Sequence, residues 1–76
     1  MKIYVAPISS QTDMTLRALG ETWEELALIL RDKEETFLSG ALLTALPAEF
    51  GRSEFVSITL PRKHARRLLD IAGISS

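Results

Sequence analysis

The chain contains no cysteine, which removes disulfides, thiolate metal sites and thiol nucleophiles at once. Its one histidine, His64, excludes a histidine-based metal cluster. A Ser–His–Asp triad would need His64 beside a serine and a carboxylate. Ser9, Ser10, Ser53 and Ser57 are available, but none sits in a nucleophile elbow. Glycine is scarce, at 4 of 76 residues, and builds no phosphate-cradling loop. Gly51-Arg52-Ser53 is too short and leads into a strand pattern instead of a helix. The acidic stretch at 21–35 has no glycine where an EF-hand loop needs its turn. The expectation is a chain that is not an enzyme and holds no cofactor or metal.

Long apolar runs are missing too. Nothing approaches the roughly 20 residues that span a bilayer. Met1-Lys2-Ile3-Tyr4-Val5-Ala6-Pro7 is interrupted by Ser9, Ser10 and Gln11 before a signal-peptide core accumulates. Without disulfides or membrane segments, the expected location is the cytoplasm.

What is present is apolar. Seventy-six residues suit one domain, 1–76, and 46% of them are hydrophobic. A chain this short buries only about 60% of its unfolded surface. The surplus belongs either to a tightly filled core or to an interface.

Residues 53–73 carry the clearest pattern. Val56, Ile58 and Leu60 alternate with Phe55, Ser57 and Thr59, which predicts a strand with its first set on the core. Pro61 ends the strand and suits the first turn of a helix. Ala65, Leu68, Leu69 and Ala72 then follow helical spacing, and Gly73 stands where a C-cap favours positive φ.

Further upstream the signals weaken. Lys2 to Ile8 reads as a strand that Pro7 confines to an edge, able to pair with 55–60. Ser9 to Asp13 is a polar connection. Met14, Leu16 and Leu19 suggest a helical turn stopped by Gly20. Thr22 and Glu25 form a capping box for a helix from Trp23 to about Arg31, with Trp23, Leu26, Ala27 and Leu30 on one face. Leu28 and Ile29 widen that apolar surface, so the helix is buried on two sides or lies partly at an interface. Asp32 and Glu35 form a second capping box, opening a helix with Phe37, Leu38, Ala41, Leu42 and Ala45. A pair of strands over 26–31 and 37–43 is the rival assignment. The predicted fold is α+β, in the order β-α-α-β-α, with a two-stranded sheet packed by helices.

Charge is segregated although the net is only −1. Glu21, Glu24, Glu25, Asp32, Glu34 and Glu35 outweigh Arg31 and Lys33 over 21–35, leaving −4. Arg62, Lys63, Arg66 and Arg67 outweigh Asp70 over 61–76, leaving +3. Cations in the first turns of a helix oppose its dipole, and like charges one turn apart repel. That arrangement asks for internal acidic compensation or for an anionic partner.

Two functions fit. The first is a non-enzymatic protein-interaction module that docks on a larger partner through Arg62, Lys63, Arg66, Arg67 and Trp23. In size and style the chain resembles phage and mobile-element accessory proteins, including inhibitors, although no motif carries that resemblance. Trp23 at helical spacing also fits a core anchor. The second is a small nucleic-acid-binding regulator that sets the basic helix 61–73 on phosphates. A helix-turn-helix around Gly20 fails on sign, since Glu21, Glu24 and Glu25 would face DNA. No aromatic residue interleaves with the helical cations to stack on single strands. A homodimer is compatible with either function.

Overall fold

The computed structural model describes residues 1–7 and 11–74. Its elements are β1 (Tyr4–Val5), β2 (Asp13–Leu19), α1 (Gly20–Asp32), α2 (Thr36–Ala45), β3 (Phe55–Pro61) and α3 (Arg62–Ile71). The strands form one antiparallel sheet in the order β1-β2-β3. The α+β class is as expected. The order is not: β-β-α-α-β-α replaces β-α-α-β-α, and three strands replace two.

The difference lies at 13–19, expected as a helical turn and found as the central strand. Met14, Leu16 and Ala18 are buried at every second position. Opposite them, β3 provides seven register partners, from Asp13↔Pro61 to Leu19↔Phe55. A helix of this length is marginal on its own, whereas a strand here completes the sheet and keeps three apolar side chains on one face. β2 therefore separates the two strands that were expected to pair. The first strand is also shorter than expected; of its predicted range, Ile8 lies outside the described residues, as do Ser9 and Ser10 of the connection.

The C-terminal unit forms as the pattern predicts. Val56, Ile58 and Leu60 are buried while Phe55, Ser57 and Thr59 face out. Pro61 closes β3 and caps α3, whose Ala65, Leu68 and Leu69 enter the core. Gly73 adopts φ 77°. Its N–H donates to Asp70 O and the Ile74 N–H to Leu69 O, both at 3.0 Å. These two bonds make a Schellman stop.

Neither predicted capping box forms. α1 starts at Gly20, three residues before Trp23, and has no side-chain cap. Backbone replaces it: Gly20 N–H donates to Glu54 O at 2.8 Å and Glu21 N–H to Arg52 O at 3.0 Å. The loop before β3 thus satisfies two N–H groups that every helix start leaves open. α2 also lacks a side-chain cap. Its presence, with α1, excludes the strand-pair alternative.

α1 ends in the same way as α3 but without glycine. Glu34 N–H donates to Arg31 O at 3.1 Å and Glu35 N–H to Leu30 O at 2.9 Å. Glu34 consequently sits at φ 58°, where a Cβ costs about 1–2 kcal/mol. Glu34→Gly should raise stability by roughly 1 kcal/mol after glycine's greater unfolded-state entropy is deducted. Urea unfolding checks this through a higher midpoint at unchanged slope; a lower midpoint would show that the glutamate stabilises the turn.

The core is one apolar cluster between the helices and one face of the sheet. Among the described residues no polar side chain is buried. Trp23 is fully enclosed, and its indole N–H donates to Val56 O at 3.0 Å. Among the described residues, no helix is long and apolar enough to cross a membrane. The apolar surplus divides between the two expected fates. Most of it fills the core, while Tyr4, Leu28, Phe37, Leu43 and Phe55 remain at the surface.

Candidate functional site

The four cations named from sequence all lie on α3. Lys63, Arg66 and Arg67 are exposed and Arg62 is half-buried. Arg67 is held internally: its Nη2–H donates to Glu35 Oε1 at 2.8 Å, and its Nη1–H reaches Asp70 Oδ2 at 3.5 Å. The Glu35 hydrogen bond, followed by the Glu35 charge, holds the guanidinium pKa above its ordinary value. The acidic segment therefore compensates one member of the basic face. Lys63 and Arg66 have no ion-pair partner among the described residues.

Trp23 does not join them. It is enclosed in the core and forms part of the floor of a groove between α1 and α2. What solvent meets beside it is Leu28 of α1 and Leu43 of α2, 61% and 59% exposed. These leucines flank a groove of about 480 Å³, lined also by Ala27, Leu46, Pro47 and Phe50. Helical geometry explains the exposure. Leu26 and Leu30 hold the buried stripe, so Leu28, two residues from each, turns away from it. Glu24 borders the groove, and Arg52 Nε meets its carboxylate at 3.3 Å. A neighbouring depression is lined by Glu21, Glu24 and Glu25, which makes this end of α1 acidic.

α2 contains no charged residue from Thr36 to Ala45. Its other flank shows Phe37, the most exposed large apolar side chain described. Phe37 stands 5.0 Å from the His64 ring, centroid to centroid. A second groove, of about 650 Å³, runs here between α2, the end of β3 and α3.

A third surface was not anticipated from sequence. On the face of the sheet away from the helices, Tyr4 and Phe55 stand with ring centroids 6.2 Å apart. The Arg17 guanidinium lies 4.5 Å over the Phe55 ring. The available signal was the alternation Thr15–Arg17–Leu19, which has meaning only once 13–19 is a strand. Among the described residues, no group of three or more His, Asp or Glu is placed to hold a metal. Comparison with known proteins finds no matching family model, curated protein or solved structure.

Proposed function

We propose that this chain is a non-enzymatic protein-interaction module that docks on a larger partner through the α1–α2 groove. The observation that supports this reading is the pair Leu28 and Leu43, each largely exposed, on adjacent helices across one groove. Burying a leucine fully contributes about 1.5–3 kcal/mol, so two such anchors could dominate a modest interface. The carboxylates at the end of α1 favour a partner that surrounds its apolar anchors with basic residues. An amphipathic helix laid in the groove has that chemistry. Lys63 and Arg66 lie on α3, which contributes no residue to this groove. An accessory protein or inhibitor would work in this way, by occupying a surface its partner needs.

A nucleic-acid role for α3 draws less support. Glu35 holds Arg67, which leaves Lys63 and Arg66 as the other exposed cations of α3.

Leu28→Glu combined with Leu43→Glu tests the docking reading. Both positions are surface, so the fold should keep its stability within about 0.5 kcal/mol per site. Immobilised wild-type protein should retain a stoichiometric partner from a lysate of the source cells, and the double variant should lose it. Equal retention by both proteins, or no partner at all, would overturn the assignment.

A further inference from the structure

Helices cover only one face of the sheet, and the uncovered face has its own chemistry. The register sets Tyr4 opposite Arg17 and Arg17 opposite Ser57. It sets Leu19 opposite Phe55 in the next row and Thr15 opposite Thr59 on the other side. Tyr4 and Phe55 are half exposed, at 51% and 50%. The Thr15 and Thr59 hydroxyls hydrogen-bond to each other at 3.0 Å. Lys2, two residues before Tyr4 and just outside β1, is exposed. The three strands contain one carboxylate, Asp13, and it lies at the far end opposite Pro61.

Beside the two rings this face carries the Arg17 cation, with exposed Glu54 just before Phe55, and its middle is hydroxyl-rich. Half-exposed rings, one of them carrying the Arg17 guanidinium over one of its faces, suit a ligand that presents flat π-faces on an anionic chain. Bases stack on aromatic side chains and on guanidinium planes, and phosphates take the charge. An acidic protein surface would use Arg17 and Lys2 but leave the two rings unexplained. A duplex hides its base faces from the two rings.

We propose that the open face of the sheet, through Tyr4, Phe55, Arg17 and Lys2, binds single-stranded nucleic acid without sequence preference. This site is separate from the α1–α2 groove and from the basic helix. It stands or falls independently of the docking reading.

Fluorescence anisotropy of a short fluorescein-labelled oligothymidylate, titrated at several salt concentrations, tests it. Two phosphate contacts predict a log–log salt slope of about −1.4 for a single strand. Tyr4→Ala and Phe55→Leu should each weaken binding about tenfold, since a stacked base loses its platform. Arg17→Gln should flatten the slope by about 0.7. Phe55→Leu keeps apolar volume, so an unchanged thermal midpoint separates lost stacking from lost folding. Lys63→Gln with Arg66→Gln should leave the titration as it was. The proposal is overturned if oligothymidylate fails to bind at low salt, or if a duplex binds equally well. It is also overturned if affinity follows the α3 variants and ignores Tyr4 and Phe55.

Discussion

Gly20→Ala is expected to lower stability by about 3 kcal/mol, despite alanine's better helix propensity. Gly20 is buried at the first position of α1. A Cβ built there lands on the carbonyl oxygen of Gly51 and within 2.8 Å of Phe50 Cδ2. A side chain can move aside at modest cost. The Gly51 carbonyl cannot, because the following residues, Arg52 and Glu54, accept the first two N–H groups of α1. Relieving the clash means moving the loop and giving up those bonds. Alanine's propensity gain of about 1 kcal/mol does not offset that. In a domain of this size, 3 kcal/mol lowers the melting midpoint by about 12–24 °C. Thermal melts followed by far-UV circular dichroism decide it. An alanine variant as stable as the parent would mean that the loop is not held against the helix. Phe50 also lines the docking groove, so a folded Gly20→Ala protein should bind its partner less tightly as well.

How far the sequence can be read depends on where the physical cause of each element lies. From Phe55 to Gly73 the causes are local. Alternation, Pro61, helical spacing and a glycine in the left-handed region all act within a few residues, and the element boundaries follow. β2 has no such local signature. Met14, Leu16 and Leu19 fit a helical turn, whereas Met14, Leu16 and Ala18 fit a strand, and the segment alone does not choose. The choice is made by β3, some forty residues away. The first capping box fails for the same reason. Thr22 and Glu25 have the right spacing, but the carbonyls of Arg52 and Glu54 reach the helix start first and draw it back to Gly20. Arg17 could not be recognised as a neighbour of Phe55 until those pairings existed. Leu28 was legible in part. Its excess over a single stripe suggested either double burial or an interface, and the structure leaves it facing solvent across from Leu43.

Trp23→Ala is expected to cost about 5 kcal/mol, the largest effect of any single change considered. Emptying the space of a fully buried tryptophan costs about 3–5 kcal/mol. The Val56 carbonyl, which accepts the indole N–H at 3.0 Å, would also lose its partner, adding about 1–3 kcal/mol unless water replaces it. Domains of this kind are stable by only about 5–15 kcal/mol, so the variant should be extensively unfolded near physiological temperature. Trp23→Phe separates the two contributions. It keeps most of the apolar contact, removes the donor, and should cost about 2 kcal/mol. Urea unfolding followed by far-UV circular dichroism measures both, because the protein's only tryptophan is absent from each variant. A surface docking role predicts the reverse: nearly unchanged midpoints and impaired partner capture. The hydrogen bond makes the structural role specific, since it fastens the first turns of α1 to β3 across the core. α1 carries Leu28 and the acidic rim, while β3 carries Phe55. One enclosed side chain therefore fixes the placement of both proposed binding faces, and Trp23→Phe should loosen each of them, the groove it lines directly and the sheet face through β3.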